Sequence, residues 1–226
     1  MPGSNPDSDG FTAFNNIVAV DNMWRGAPFF RDSYDDDGDD YELYVHTPDE
    51  DGNSGWMNAH YNPNCDLFEF GDGRVHINTI SQEVMHAVID NEADLEYNGQ
   101  SGALNESFAD IFGHFAQPGD WLQGENGPNT GPPNPNVPGC NQTPATRDLS
   151  NPPCQGQPDE YDERRPTLQD LQNGDLCSDH CFVHSNSGIH NKAAYMLLAS
   201  SRTPVLLVCK HDSSFRFTKG YGIVTA

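Results

Sequence analysis

The sequence predicts an α+β domain in which short strands precede a set of amphipathic helices. Residues 58–73 alternate apolar and polar side chains and end in a Gly/Asp turn, a pattern typical of a strand or hairpin. Three later segments carry apolar residues at helical spacing. The 226 residues also include 21 glycines and 17 prolines, so we expect much of the chain to lie in loops.

Each predicted helix has one apolar face. The first is predicted over residues 77–93, where Ile80, Val84 and Val88 repeat at four-residue spacing. The second covers residues 104–116, and its apolar residues are Phe108, Ile111, Phe112 and Phe115. The third covers residues 187–200, and its apolar residues are Ile189, Ala193, Met196 and Leu197. The intervening residues 117–175 are dense in Pro, Gly and Asn, which predicts a long loop region.

Composition divides the chain into three parts: residues 1–57, 58–200 and 201–226. The first part is acidic, and we expect a β-rich N-terminal unit there. Up to Ser201 the chain has 7 basic and 33 acidic side chains, whereas from Arg202 onward it has 4 basic side chains and one acid. A separate origin of this tail and ordinary local variation both stay open. Within the tail, residues 203–208 have the pattern of a strand.

The net charge of −23 excludes nucleic acid as an expected partner, because phosphates are bound by Lys and Arg. No run approaches 18 apolar residues, so we expect no membrane-spanning segment. The first residues show no signal-peptide pattern. Clustered aspartates such as those at 35–40 bind calcium in some proteins, but a well-solvated surface is the interpretation we favour. We expect a monomer.

Six cysteines occur, at positions 65, 140, 154, 177, 181 and 209. Cys140 and Cys154 bracket a Pro/Asn-rich loop, where a disulfide would strongly restrict the unfolded chain. This favours an oxidising, extracellular location. For Cys177 and Cys181 two alternatives are open. They form a disulfide, or they form a small zinc site together with His184 and His190.

A candidate metal centre lies on the first two predicted helices. Gln82 and His86 are four residues apart and therefore project from one helical face, with Glu83 beside them. Glu106 and Asp110 form a second four-residue pair on the next helix. A catalytic zinc site with an open position can be built from two side chains of one helix and one side chain of another.

Ordered sequence blocks over residues 58–200 resemble the thermolysin family of zinc metallopeptidases. The segment from Gln82 to His86 resembles the HExxH zinc helix with its first letter changed. The segment from Gly102 to Asp110 resembles the family's GxxNExxxD block, and the segment from His184 to Tyr195 resembles its HxNSGIxNKAAY block. Further matches are Asn58–Tyr61, Phe70–Gly73, Asp120–Trp121, Gly124–Glu125, and Arg147 with Ser150 and Pro152.

The resemblance implies a thermolysin-like catalytic core at residues 58–200 that hydrolyses internal peptide bonds of polypeptides with zinc. It implies zinc ligands at His86, Glu106 and, with a weaker donor, Gln82. It assigns Glu83 as general base, and His184 and Tyr97 as hydrogen-bond donors to the oxyanion. Asp110 and Asp179 would support the ligands and His184. Asn58, Ala59 and Arg147 would bind the substrate backbone.

Three features depart from the family pattern. An amide oxygen at Gln82 is a poorer zinc ligand than an imidazole, so we expect weakened zinc binding. Asp120 and Glu125 match acids of the family's calcium site, but Asn78 occupies another acid position, which predicts at most weak calcium binding. The parts before residue 58 and after residue 200 are short for the family, so the domain looks truncated at both ends. The alternative function is a catalytically inactive, thermolysin-like binding protein.

Overall fold

The computed structural model describes residues 7–49, 51–125, 130–141 and 143–199, together with strand residues 215–217 and 223–225. The helices are α1 (Ser8–Arg25), α2 (Ile77–Glu92), α3 (Gly99–Ala116), α4 (Leu168–Gln172) and α5 (Ser178–Ala199). The strands are β1 (Glu42–Val45), β2 (Ala59–Asn62), β3 (Leu67–Phe70), β4 (Leu122–Gln123), β5 (Arg147–Asp148), β6 (Phe215–Phe217) and β7 (Ile223–Thr225). The α+β prediction is confirmed.

Helix α1 is the longest element before residue 58, where the sequence predicted a β-rich unit and strand β1 is the only strand described. The side chain of Asp7 accepts a hydrogen bond from the Asp9 amide and caps the first turn of α1. Its buried residues recur every three or four positions, which is the spacing of a helix face packed on a core. These residues are Ala13, Ile17, Val20 and Trp24.

The predicted hairpin is present as strands β2 and β3, which pair antiparallel with Ala59 opposite Phe70 and Tyr61 opposite Phe68. Strand β1 pairs in parallel with the other side of β3, so the sheet order is β1-β3-β2 and β2 lies at an edge. Side chains alternate across a strand, and Phe68 and Phe70 are fully buried against the helices. The open edge of β2 lies against α2, where the Tyr61 amide donates a hydrogen bond to Glu83.

The three predicted helices are present, and α3 packs against both α2 and α5. Helix α2 begins at its predicted residue and ends one residue before its predicted end. Beyond it Asp94 adopts a left-handed φ of 45° and donates its amide to the Ile89 carbonyl. Helix α3 begins at Gly99, five residues before the predicted start. The prediction missed its first turn because the residues there do not continue the apolar pattern of the helix. Ile80 and Val84 of α2 are fully buried in the core.

The described residues between 117 and 175 are mostly irregular, as predicted. The two-residue strands β4 and β5 pair antiparallel, with Gln123 opposite Arg147, and two 3₁₀ turns cover Pro152–Gln155 and Tyr161–Glu163. The strand predicted at residues 203–208 lies outside the described residues. No helix in the described part of the chain is long and apolar enough to cross a membrane.

Candidate active site

A cavity of about 500 Å³ opens between the edge strand β2 and helices α2 and α3. Nine predicted site residues line it: Asn58, Ala59, Gln82, Glu83, His86, Tyr97, Glu106, Arg147 and His184. Asp110 and Asp179 do not line the cavity but contact residues that do. Asp120 and Glu125 lie outside it. The sequence blocks separated by up to 126 residues therefore meet in one cleft.

Glu83 is buried beside the open sheet edge. Its Oε2 accepts a hydrogen bond of 2.9 Å from the backbone amide of Tyr61 on strand β2. Burial raises the pKa of the Glu83 carboxyl, since a charged carboxylate is poorly solvated there. A carboxyl group with a raised pKa is suited to exchanging protons near neutral pH.

His86 is held in one orientation by a residue that the sequence analysis did not single out. Its Nδ1 lies 2.6 Å from Oδ1 of Asn105. Because an amide oxygen only accepts hydrogen bonds, Nδ1 is the ring nitrogen that donates to Asn105, and Nε2 is the nitrogen left facing the cleft. This Nε2 points to Glu106, 3.5 Å from its Oε1. The position of Asn105 immediately before Glu106 was the available sequence signal.

Glu106 is almost completely buried at the centre of the cleft. Its Oε1 accepts a hydrogen bond from the Tyr97 hydroxyl and lies 3.3 Å from Nε2 of His184. Its Oε2 is buried and has no hydrogen-bond partner among the described residues. Burial acts to raise the pKa of Glu106, but the neighbouring His86, His184 and Arg147 outweigh burial and lower the pKa. The carboxylate is therefore charged and only partly satisfied.

The amide of Gln82 is oriented by Asp110. Gln82 Nε2 donates a hydrogen bond of 3.1 Å to Asp110 Oδ1, which leaves Gln82 Oε1 as the amide atom available to a ligand. Asp110 is fully buried and also accepts from Arg147 Nε at 2.8 Å and from Asn191 Nδ2 at 2.8 Å. Burial raises the pKa of Asp110, and the Arg147 guanidinium opposes this shift. Asn191 is a second residue that the sequence analysis did not single out.

His184 is bound by Asp179 through two hydrogen bonds. Asp179 Oδ1 lies 2.7 Å from His184 Nδ1, and Oδ2 accepts from the His184 backbone amide at 3.1 Å. The other ring nitrogen, Nε2, lies 3.4 Å from the Tyr97 hydroxyl. Burial lowers the pKa of His184, but Asp179 and Glu106 outweigh it and the pKa is raised. His184 and Tyr97 therefore face the same point of the cleft.

The residues predicted to bind calcium, Asp120 and Glu125, have a neutral Asn78 at the position of a further acid. Glu125 Oε2 accepts a hydrogen bond of 3.1 Å from the Asn78 amide, which is neutral and contributes no negative charge. Within the described ranges, no group of three or more His, Cys, Asp or Glu side chains is arranged to hold a metal ion. The candidate centre in the cleft contains two such side chains, His86 and Glu106, with Gln82 as the third donor. Calcium binding stays a prediction.

The alternative zinc site of Cys177, Cys181, His184 and His190 is wrong. Cys177 and Cys181 form a disulfide, so neither sulfur is a thiolate able to bind zinc. His190 Nδ1 instead lies 2.8 Å from the Ser107 hydroxyl, inside the α3–α5 contact. The predicted disulfide between Cys140 and Cys154 is present, and Cys65 is a free, exposed cysteine.

Comparison with known proteins places these residues in a family. Residues 93–214 match the family described as thermolysin metallopeptidase, alpha-helical domain. The chain is 33% identical over 211 residues to bacillolysin of Bacillus amyloliquefaciens, covering 86% of this chain and 36% of that protein. It is 34% identical over 199 residues to neutral protease NprE of Bacillus pumilus, covering 82% of this chain and 59% of that protein.

A third relative is the extracellular elastase of Staphylococcus epidermidis, 36% identical over 178 residues, with 76% of this chain and 32% of that protein covered. Among solved structures, the precursor of protealysin, a metalloproteinase from Serratia proteamaculans, superposes with a TM-score of 0.64 and 26% identity. That match covers 86% of this chain and 60% of the other. The chain thus spans only part of the length of its relatives, and it belongs to the thermolysin metallopeptidase family.

Proposed function

We propose that this chain is a zinc-dependent metalloendopeptidase of thermolysin type whose activity is impaired because Gln82 occupies the position of a zinc-ligand histidine. The observation that carries the proposal is the convergence of His86 Nε2 and the Glu106 carboxylate beside Glu83 in one cleft. The substrates would be polypeptides cleaved at internal bonds.

The residues present fit a divalent cation. Glu106 keeps a buried carboxylate oxygen without a partner, which a cation would satisfy. His86 directs Nε2 toward Glu106 because its Nδ1 is held by Asn105. Gln82 would add only an amide oxygen, a poor donor for zinc. We therefore expect a bound metal with reduced affinity rather than a site without affinity.

Bound zinc would supply a Lewis acid for the scissile carbonyl and lower the pKa of a water. The chain's own residues would do the remaining work. Glu83, held by the Tyr61 amide, would take a proton from the attacking water and give it to the leaving amine. His184 and Tyr97 would donate hydrogen bonds to the oxygen that becomes negative. The edge of strand β2 would pair with the substrate backbone.

A catalytically inactive binding protein is the second candidate function. The hydrogen bond from Gln82 to Asp110 favours this function, because it gives the NH₂ group of the amide a partner without any metal. Such a protein would bind polypeptides along the same strand edge without cleaving them.

The deciding experiment measures zinc stoichiometry and affinity of the natural protein and of Gln82→His, each with chelator-sensitive casein hydrolysis. We expect weak zinc binding and low hydrolysis in the natural chain, and a large increase of both in Gln82→His. Adding Glu83→Gln to Gln82→His is the matched control, which should keep zinc and lose hydrolysis. A Gln82→His variant that binds zinc tightly and cleaves nothing would refute the peptidase proposal and favour the binding protein.

We also propose an extracellular location. The two disulfides support it, because disulfides persist mainly in oxidising compartments. Reduced protein purified from a cytosolic fraction, with all six cysteines as thiols, would contradict this location.

A further inference from the structure

The segment that leads into His184 has an unusual backbone. Four successive residues at the start of α5, Asp179 to Phe182, have φ values of 53°, 48°, 63° and 65°, in the left-handed region, so the right-handed helix of α5 begins only after them. Residues with a Cβ avoid this region because Cβ approaches the following carbonyl oxygen, and glycine is its usual occupant. None of the four residues is a glycine. The turn therefore needs something to hold it.

The turn is held by contacts at both of its ends. At its C-terminal end Phe182 is buried, and the Arg165 guanidinium lies 4.7 Å above its ring. At its N-terminal end the Cys181 amide donates to the Cys177 carbonyl at 3.4 Å, and the two side chains are joined as a disulfide. Residues 178–180 between these ends are exposed, and there the His180 ring packs edge-on against Tyr97 with centroids 5.3 Å apart. The disulfide is the covalent restraint on the first half of the turn.

The turn determines where the His184 ring points. It places Asp179 so that both carboxylate oxygens contact His184, one at the backbone amide and one at Nδ1. With Nδ1 held in this way, Nε2 faces the Tyr97 hydroxyl and Glu106 inside the cleft. If the turn relaxed to an ordinary conformation, Asp179 would leave His184 and the ring would lose its fixed direction.

We propose that the Cys177–Cys181 disulfide is a positioning element for His184, because it holds the left-handed turn that brings Asp179 onto the imidazole. The geometric part of this inference stands by itself. Its catalytic consequence rests on the proposed function, in which His184 donates a hydrogen bond to the oxyanion.

The first test is amide hydrogen exchange at His184, followed by NMR in the full chain. In Cys177→Ser/Cys181→Ser we expect exchange at this amide to be about tenfold faster, the change that loss of one net hydrogen bond produces. Amides of helix α2 should not change. The matched control is Cys140→Ser/Cys154→Ser, which removes the other disulfide and should leave the His184 amide protected. Unchanged protection in the first variant would overturn the proposal.

A glycine variant separates positioning from general stabilisation. In Cys177→Ser/Cys181→Gly the disulfide is also absent, but glycine adopts the left-handed conformation without the Cβ clash. We expect much of the His184 protection to return in this variant. If the glycine and serine variants exchange equally fast, the disulfide does not act through the turn and the inference is refuted.

The catalytic consequence is tested in the Gln82→His background. Loss of the disulfide should lower kcat by about 10-fold or more with little change in KM, because an oxyanion contact acts mainly in the transition state. The Cys181→Gly variant should recover part of kcat. A rise in KM with unchanged kcat would contradict this role of the disulfide. If Gln82→His is inert, the proposed function fails while the amide measurements still decide the positioning role.

Discussion

The ion pair between Arg147 and Asp110 offers the sharpest test of how the cleft is held together. Arg147 Nε and Nη2 lie 2.8 and 2.7 Å from Asp110 Oδ1, and their side chains are 11% and 0% exposed. Arg147→Leu would leave a buried carboxylate with two neutral donors, Gln82 and Asn191. Breaking a buried pair from one side typically costs about 3–5 kcal/mol.

For a chain of this size, 1 kcal/mol shifts the unfolding midpoint by about 2–4 °C, so we expect Arg147→Leu to unfold roughly 6–20 °C lower. Thermal unfolding followed by circular dichroism measures this shift. Adding Asp110→Asn removes the uncompensated charge and should restore part of the loss, with a coupling energy of about 1–3 kcal/mol.

Arg25→Leu is the control, because its pairs with Asp21 and Asp32 are exposed to water and should matter little. If Arg147→Leu unfolds within about 2 °C of the natural chain, a shift below 1 kcal/mol, the reasoning from burial is wrong. It is also wrong if the losses from Arg147→Leu and Asp110→Asn simply add, since the two groups would then not interact.

Three further predictions follow from single contacts. In the variant that restores a histidine ligand, Asn105→Leu should weaken zinc binding about 10–100-fold in a chelator competition, because His86 loses its orienting acceptor; Asn105→Asp, which keeps an acceptor, should not. Gly71→Ala places a Cβ 1.7 Å from a backbone oxygen and should lower stability to urea by about 1–3 kcal/mol, whereas Gly119→Ala, in open space, should not. Hydrogen bonds to Asp72 and Asp7 raise the pKa of His46 to about 9.

Because the folded-state pKa of His46 lies above its ordinary value, the stability it contributes is complete below pH about 6.5 and is lost as pH rises through about 9. Between neutral pH and pH about 10, the natural chain should therefore lose more unfolding free energy than His46→Gln. Equal losses in the two proteins would show that the aspartates do not act on His46. For Asn105 and Gly71, equal behaviour of variant and control would contradict the contact concerned.

The fold was predictable where one apolar period dominates. Ile80, Val84 and Val88 predicted α2 almost to its ends, and the alternation around Phe68 predicted the β2–β3 hairpin. Helix α1 was missed, although Ile17 and Trp24 share its buried face, because polar residues and exposed aromatics dilute the pattern. The left-handed turn before His184 could not be predicted, since its residues have no preference for that conformation.

The cleft was predictable because its residues occur in compact blocks of sequence. The separate segments that carry Glu83, Glu106 and His184 were predicted to meet, and they line one cavity. The supporting contacts were harder to predict. Asn105 acts through one hydrogen bond and Asn191 through two, and an asparagine inside a helix gives no sign of which side chain it will bind.

The open edge of strand β2 has a consequence for the handling of the protein. An unpaired edge strand is a template for sheet extension between molecules, and such edges promote aggregation. Here the Tyr61 amide is already bound by Glu83, so the side chain also blocks one of the positions at which a second molecule could dock. Glu83→Ala would free that amide and favour self-association, whereas Glu83→Gln keeps an acceptor in place. Loss of soluble protein in the alanine variant would then reflect an exposed edge rather than a failure to fold.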